Sequence, residues 1–160
     1  MSTEARCNGQ VEYRMKADQG TYVLVLRTDA EAAVQVGRWG VLTIQPGYYL
    51  YVGRAFGSGG VRARVTRHCR QSKSKHWHID YLREMAIVES VWYSHRQTRL
   101  EHRWAKVLAK WGNAGPIPGF GCSDCSCDSH LFYFRKAPTL VEFAETLGCS
   151  VESWSCEKTF

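Results

Sequence analysis

The sequence contains no apolar run approaching the about 18 residues that a membrane-spanning helix needs. Its first ten residues, MSTEARCNGQ, also lack the hydrophobic core of a secretory signal. We therefore expect a cytoplasmic protein. In that compartment the seven cysteines are expected to be free thiols or metal ligands rather than a disulfide framework, and their odd number points the same way.

Acidic residues are scarce and are missing from the most basic stretch. The chain carries 21 Lys+Arg against 15 Asp+Glu, a net charge of +6 and a sequence pI near 9.0. Between residues 62 and 75 the charged side chains are all cations, namely Arg62, Arg64, Arg67, Arg70, Lys73 and Lys75. Clustered cations favour contact with phosphates, although a solvated basic helix would show the same pattern.

A length of 160 residues and a hydrophobic content of 44% suit one domain with a real core. Residues 1–18 show little periodicity and are predicted to form a loosely ordered arm. The domain is expected to span residues 19–148, followed by a C-terminal tail over 149–160.

The pattern of elements predicts an α+β fold with a small, mostly antiparallel central sheet flanked by helices. Strands are predicted from β-branched and aromatic content, in the runs TYVLVLRT, YYLYV, AIVESVWY and HLFYF. Between the first two of these runs we expect one or two short strands broken at residues 37–40. Helices are predicted from about residue 60 to 71, from 97 to 111 and over TLVEFAETLG.

The helix after Gly60 orients a candidate site. Val61, Val65 and Cys69 recur every four residues and form one apolar stripe. Arg64 and His68 lie close to that stripe, so both side chains should point toward the protein body beside the strand end. A cation and an imidazole aimed at one place indicate a site, whereas a solvated basic helix is the simpler alternative.

The helix over residues 97–111 carries one acid among its charged residues, Glu101. Glu101 projects beside Leu108 at the margin of the apolar face. A carboxylate at the edge of a core needs a cation or a metal as its partner, whereas a surface glutamate needs neither.

The run HWHIDYL concentrates polar and aromatic groups. If it is helical, His76 and Asp80 share a face; if it is extended, His78 joins them. These side chains either support the site or contact phosphate, or they form a capped junction whose polar atoms satisfy one another.

Four candidate zinc ligands lie close together before the last predicted strand: Cys122, Cys125, Cys127 and His130. Three thiols and an imidazole could complete a tetrahedral structural site, although the spacing is cramped compared with two separated pairs. The alternatives are a turn in which the thiols pack as small apolar groups, and an approach of His130 or Asp124 to a phosphate.

The tripeptides Gly20-Thr21-Tyr22 and Tyr51-Val52-Gly53, on two strands that can pair, resemble the paired signatures of the GIY-YIG nuclease family. The ordered residues that follow also match that family's pattern: Arg64, His68, Glu101 and Asn113. The segments GYYLYVGRA, RHCR, HWHIDYL and GFGCSDC resemble the Uri-type branch, over about residues 20 to 134.

Three positions depart from the family pattern. Thr21 replaces the middle Ile but keeps a β-branched residue. The segment between Tyr22 and Tyr51 is longer than in compact members, and the GSGG insertion lengthens the approach to Arg64. Arg54 stands where the Uri-type branch usually has a small Ser, which adds a cation or alters the approach of a phosphate.

The resemblance implies a metal-dependent endonuclease that hydrolyses DNA by single-step, in-line attack of water. Glu101 would anchor Mg²⁺ or Mn²⁺, and Arg64 would offset charge on the phosphate. Tyr22, Tyr51 and His68 would position or deprotonate the water, with the general base left open.

The remaining expected roles are peripheral to that chemistry. His76, His78, Asp80 and Asn113 are expected to support the site. DNA, whether branched, damaged or single-stranded, is expected to contact Arg54, Arg62, Arg67, Arg70, Lys73 and Lys75. The phenols, the Arg64 guanidinium and the Glu101 carboxylate should then border one small hollow. A catalytically silent nucleic-acid-binding module and a zinc-stabilised interaction protein are the alternatives.

Overall fold

The computed structural model describes residues 15–70, 75, 77–111, 115–122 and 129–155. Within these ranges a six-stranded sheet is covered by helices on both faces, which confirms the α+β class and the mostly antiparallel sheet. None of the helices in these ranges has the length and apolar character required to cross a membrane.

The order of elements follows the sequence pattern closely. The strands are β1 (Gly20–Thr28), β2 (Ala32–Val36), β3 (Gly40–Ile44), β4 (Gly47–Ala55), β5 (Ile87–Ser94), β6 (Gly115–Pro116), β7 (Leu131–Phe134) and β8 (Glu152–Trp154). The helices are α1 (Gly60–Cys69), α2 (His78–Arg83), α3 (Glu101–Ala109) and α4 (Leu140–Leu147). The main sheet has the order β6-β7-β4-β1-β5-β8 with every neighbouring pair antiparallel, and β2 and β3 form a separate hairpin.

Strand β1 lies in the middle of the sheet and is buried on both faces. Tyr22 and Leu24 belong to one core, while Val23 and Val25 belong to the other. Successive side chains of a strand point to opposite faces, so a central strand covered on both sides requires a nearly continuous apolar run. This is why TYVLVL carries no polar alternation.

The first core lies under α1, α2 and the β2–β3 hairpin. The predicted stripe of α1 is correct, because Val61 and Val65 are fully buried. From α2, Ile79 and Leu82 pack into the same cluster. The HWHIDYL run is therefore helical from His78 onward, with its apolar face toward the sheet.

The second core lies under α3 and α4 on the opposite face. Leu100, Trp104 and Leu108 fill it together with Phe143 and Leu147. Helix α3 begins at Glu101, four residues later than predicted, and the Leu100 N–H donates to Thr21 Oγ1 at 3.4 Å. That bond ties the start of α3 to β1.

The described part of the predicted N-terminal arm is fixed rather than loose. Met15 is buried, the Arg62 N–H donates to the Lys16 carbonyl at 3.1 Å, and the Val61 N–H donates to the Asp18 carbonyl at 3.0 Å. These bonds satisfy first-turn donors of α1, which has no side-chain cap. Gly60, at φ 60°, permits the approach, because a Cβ there would overlap the carbonyl oxygen of Asp18.

The C-terminal segment also contributes to the fold. Sequence patterning assigned no element beyond residue 148, yet β8 pairs with β5 through the register Val91↔Trp154. Trp154 is buried in the first core. Three residues are too few for a periodicity to be recognised.

Candidate active site

Tyr22 and His68 form the centre of the site on the α1 face of the sheet. The Tyr22 hydroxyl and His68 Nε2 are 2.7 Å apart, and both side chains are about 1% exposed. Tyr22 stands opposite Gly53 on β4. A Cβ at Gly53 would overlap Cζ and Oη of Tyr22, so the glycine makes room for the phenol that reaches His68.

Tyr51 lies beside this pair. Its partner on β1 is Leu24, two residues along from Tyr22, so the two phenols are diagonal neighbours on one face. The Tyr51 ring lies edge-on to His68 and to Phe120, with centroid distances of 6.3 Å in both cases. Two strands and a helix therefore place three of the predicted catalytic side chains in contact.

Burial dominates the electrostatics of both phenols. Desolvation raises the pKa of Tyr22 above its ordinary value, and the nearby Arg64 guanidinium partly offsets that rise. Desolvation likewise raises the pKa of Tyr51, and the neighbouring Tyr22 adds to it. Both phenols are therefore neutral at physiological pH. They can donate or accept hydrogen bonds, and deprotonating either one requires additional positive charge.

Arg64 is held at the end of β4. Its Nη1 donates to the Arg54 carbonyl at 3.0 Å, and its guanidinium lies 4.4 Å from the centroid of Trp77. Arg67 lies against the same ring at 4.3 Å. Aromatic contacts orient a guanidinium without consuming its hydrogen-bond donors, so Arg64 keeps donors for an anion.

Trp77 is thus a site residue that sequence reasoning missed as a functional position. Its position between the two histidines of HWHID could have indicated a role, but the prediction considered only the polar neighbours. Phe120 was missed as well. It is fully buried and lines the Tyr51 side of the cluster from a loop whose composition predicted no packing role.

Glu101 lies at the first turn of α3, the helix that covers the other face of the sheet, and its charge is near enough to raise the pKa of Tyr22. Its Oε2 accepts from Arg54 Nη1 at 3.1 Å, and the Glu101 side chain is 8% exposed against 38% for Arg54. Of the predicted alternatives, a cation, a metal or an unpaired surface position, the structure shows a buried carboxylate with a cation as its partner. The positive end of the α3 dipole adds a further favourable interaction for this carboxylate.

His130 and His102 lie close to this ion pair. The His130 Nδ1–H donates to the Val52 carbonyl at 3.2 Å, and the two imidazole centroids are 5.9 Å apart. Burial lowers the pKa of His130 below its ordinary value, while the hydrogen bond to Val52 and the charge of Glu101 oppose that change. His130 is thereby favoured in its neutral form.

Arg54 joins the two halves of the site. Its carbonyl accepts from Arg64 on one face, and its guanidinium binds Glu101 on the other. Arg64 and Glu101 therefore share Arg54 as a partner, although they form no ion pair with each other within the described residues. The charges of both act on the Tyr22 phenol, and the expectation of one shared hollow stays a prediction. Because side chains alternate along a strand, neighbouring positions of β4 face the two halves.

The support residues have different outcomes. Asp80 is fully buried, pairs with Arg67 at 2.8 Å, and accepts from the Trp77 N–H at 2.9 Å. This is the capped junction predicted as one alternative, and it also fixes Trp77. His78 Nδ1 accepts from the Gly121 N–H at 3.0 Å. His76 and Asn113 lie outside the described residues.

Several of the predicted nucleic-acid contacts are already engaged within the protein. Arg54 binds Glu101, Arg67 binds Asp80, and Lys75 Nζ lies 2.7 Å from Glu84 Oε2. The side chains of Arg62 and Arg70 are exposed, while Lys73 lies outside the described residues. Because Asp80 is buried, its pairing with Arg67 makes Arg67 a structural cation, and a contact of Arg67 with nucleic acid stays a prediction.

The cysteine-rich segment is only partly described. The Cys122 thiol donates to the Phe120 carbonyl at 3.5 Å and is not part of a disulfide, whereas Cys125 and Cys127 lie outside the described residues. Cys69 is disulfide-bonded, which corrects the expectation of a free thiol or metal ligand there.

The donor set around Glu101 offers a divalent cation a single carboxylate. The described ranges hold no group of three or more His, Cys, Asp or Glu side chains arranged for a metal. Mg²⁺ nevertheless binds commonly through one or two carboxylates, with waters and substrate phosphates completing its shell. The Glu101 carboxylate, which is 8% exposed beside the 38% exposed Arg54, offers such an ion one hard oxygen ligand and no closed protein cage.

Comparison with known proteins gives one finding. The family model described as "Domain of unknown function DUF123" matches residues 21–152, a span that runs from β1 into β8 and contains each proposed catalytic residue. Neither the curated proteins nor the solved structures gave a significant match.

Proposed function

Because the chain belongs to the family described as domain of unknown function DUF123, we propose its activity from the site itself: a divalent-metal-dependent endonuclease acting on DNA. The reaction would be single-step hydrolysis of a phosphodiester by an in-line water. The proposal includes kinship with the GIY-YIG nucleases and their Uri-type branch.

One observation carries the proposal. Tyr22 and His68 are hydrogen-bonded at 2.7 Å in a buried cluster beside Tyr51 and Arg64, which offers general acid–base groups next to a guanidinium. A module that only bound nucleic acid would need surface cations for phosphate contact, and a buried phenol–imidazole pair would contribute to its stability but not to its binding.

Each protein group has a role that its environment supports. Arg64 has donors for the non-bridging phosphate oxygens, where negative charge grows in the transition state. His68 is the more natural proton acceptor, because imidazole is the side chain whose intrinsic chemistry suits proton transfer near neutral pH. Tyr22 holds His68 in place or passes a proton to it. Tyr51 completes the pocket for the water.

Glu101 is the proposed anchor for Mg²⁺ or Mn²⁺. A divalent ion bound there would supply charge neutralisation at the phosphate and its leaving oxygen. The Glu101 carboxylate would position that ion at the end of β4. There Arg54 already links Glu101 to Arg64, because its guanidinium binds Glu101 and its carbonyl accepts from Arg64. A structural zinc ion at the cysteine-rich segment remains a separate proposal.

Binding without cleavage is the second candidate. The Arg54–Glu101 pair favours it, because the carboxylate that would hold a metal is already neutralised by a side chain. In that case Arg62 and Arg70 would contact the backbone, and the buried cluster would serve only stability.

A cleavage assay separates the two candidates. Plasmid, branched and single-stranded DNA would be incubated with Mg²⁺ or Mn²⁺ and with wild type, Glu101→Gln or Arg64→Ala. We expect both variants to lose at least about 100-fold in rate while keeping their fold by circular dichroism. Equal cutting by all three proteins would mean contamination and would reject the proposal.

Matched controls make that result specific. Glu145→Gln repeats the chemical change of Glu101→Gln at an exposed position of α4, and Arg135→Ala removes an exposed arginine after β7. Both should cut DNA at the wild-type rate. DNA binding without cleavage by every protein would favour the binding module.

A further inference from the structure

The Arg54–Glu101 ion pair occupies the position where the proposed metal would bind. Glu101 is almost fully buried, so its charge requires a partner at all times. In the structure that partner is the Arg54 guanidinium, at 3.1 Å from Oε2. A divalent cation on the same carboxylate would face a neighbouring positive charge, and two like charges at such distances repel strongly.

The Arg54 side chain is able to move away from Glu101. Its side chain is 38% exposed, in contrast to the buried carboxylate, so its guanidinium can turn toward solvent without crossing the core. Its backbone is fixed by the β1–β4 ladder and by the hydrogen bond from Arg64, so only the side chain needs to move. The result would be a guanidinium at the rim of the site.

A phosphate would favour the movement of the Arg54 side chain away from Glu101. A guanidinium binds phosphate through two parallel hydrogen bonds, which is as good a pairing as it makes with a carboxylate. A nucleic-acid phosphate at the end of β4 would meet Arg54 and Arg64 together, since Arg64 is hydrogen-bonded to the Arg54 carbonyl. Transfer of Arg54 to the phosphate would leave the Glu101 carboxylate available to a cation.

We propose that Arg54 is an internal competitor of the divalent cation for Glu101, and that a backbone phosphate of the nucleic acid releases this competition. Metal and nucleic acid then bind cooperatively, and the free protein binds metal weakly. The inference rests on the proposed function, because it assigns Glu101 as the metal anchor. By linkage, the metal must increase nucleic-acid affinity by the same factor.

The first test measures Mn²⁺ binding to the full chain without DNA, by electron paramagnetic resonance of the free ion. Arg54→Ser and Arg54→Gln should each bind Mn²⁺ at least about tenfold more tightly than wild type. Arg99→Ser removes one positive charge from an exposed residue two positions before Glu101 and should match wild type. Thermal unfolding of every variant checks that the fold is kept.

The second test measures the coupling. Affinity for a labelled single-stranded oligonucleotide is read by fluorescence anisotropy in Ca²⁺ and in chelator, with a gel to verify that the strand stays intact. Ca²⁺ is used because it is another hard cation that takes oxygen ligands. Wild type should gain at least about fivefold in affinity with Ca²⁺, and Arg54→Ser should gain less.

The outcomes distinguish failure of this inference from failure of the proposed function. If the Arg54 variants bind Mn²⁺ no more tightly than Arg99→Ser, or bind none, Arg54 is not a competitor and the inference is overturned. If Arg54→Ser binds tightly and adding Glu101→Gln leaves that binding unchanged, Glu101 is not the anchor, and the proposed function fails with it. If the double variant Arg54→Ser with Glu101→Gln loses the tighter Mn²⁺ binding of Arg54→Ser, the result supports both the inference and the proposed function.

Discussion

Two nitrogens of the Arg67 guanidinium bind the two carboxylate oxygens of Asp80, at 2.8 and 3.0 Å. The Asp80 side chain is fully buried, and it also accepts from the Trp77 N–H. We therefore expect Arg67→Ala to lower the free energy of unfolding by about 3 kcal/mol, because it leaves a buried charge without its main partner. Urea denaturation measures the loss.

The neighbouring Arg62 provides the matched control. It lies on the same helix, is exposed and should cost within about 0.5 kcal/mol when replaced by Ala. Equal losses for the two variants would contradict the assignment of Arg67 as a structural cation. Weaker DNA binding by Arg67→Ala would then need to be separated from partial unfolding before it was attributed to a phosphate contact.

Replacing the two phenols should separate stability from catalysis. Tyr22→Phe removes the hydroxyl that contacts His68 at 2.7 Å and should cost about 1–3 kcal/mol, because it leaves a buried polar atom without that partner. The Tyr51 hydroxyl makes no hydrogen bond within the described residues, so Tyr51→Phe should cost less than about 0.5 kcal/mol. We expect both variants to cut DNA at least about 100-fold more slowly.

The readouts are urea denaturation and single-turnover cleavage at saturating DNA. A Tyr51→Phe variant with full activity would remove Tyr51 from the catalytic set, while an unchanged stability of Tyr22→Phe would mean that water replaces the lost hydroxyl.

Gly53 should be intolerant of a side chain. In Gly53→Ala the new Cβ would overlap the ring end of Tyr22, so the phenol must shift away from His68. We expect a loss of stability of about 1–3 kcal/mol and a loss of cleavage. The double variant with Tyr22→Ala should lose less stability than the sum of the two single losses, because the clash is absent once the ring is removed, and it should have no activity. Additive stability losses in the double variant would argue against this steric explanation.

The sequence predicted the strands and the face of α1 well because their signals are local. Val61 and Val65 mark the buried stripe of the helix, and His68 follows from it by geometry alone. Glu101 was placed by the same periodicity at the margin of the apolar face, with a cation or a metal as its partner if buried and neither if exposed; it is buried and paired with Arg54. For such residues the periodicity of the neighbouring sequence is enough to predict whether the side chain is buried.

The parts of the site that the sequence did not predict depend on pairings between residues that are distant in sequence. Nothing near Arg54 in sequence indicates that it binds Glu101, and nothing near Arg67 indicates Asp80, because both pairs are created by packing. A count of cations therefore overestimated the free basic surface, since several of them serve internal carboxylates.

Exposed cations should still control nucleic-acid affinity. Arg62 is exposed on α1, so Arg62→Ala should weaken DNA binding uniformly and reduce the slope of log K against log salt by about one. Arg135→Ala removes an exposed cation after β7 and serves as the control. Anisotropy titrations at several salt concentrations measure the slope. An unchanged slope in Arg62→Ala would move the nucleic-acid interface away from α1.

The His78 imidazole should make stability depend on pH. Its Nδ1 accepts from the Gly121 N–H at 3.0 Å, a bond that only the unprotonated nitrogen can accept. Burial lowers the pKa of folded His78 below the ordinary value of 6.5. The unfolded chain therefore takes up a proton first as the pH falls. The stabilising contribution is complete above about pH 6.5 and is lost as the pH falls toward the folded pKa.

His78→Asn tests this dependence, because its side-chain oxygen can accept the Gly121 N–H at any pH. Between pH 7.5 and 5.5 the free energy of unfolding should fall less steeply for this variant than for wild type, by at most about 1.4 kcal/mol per pH unit. The pKa of His130 is also lowered, so some pH dependence should remain in the variant. Urea denaturation across this range measures both slopes, with His102→Asn as the control for losing an exposed imidazole. Identical slopes for His78→Asn and wild type would show that protonation of His78 does not break the contact with Gly121.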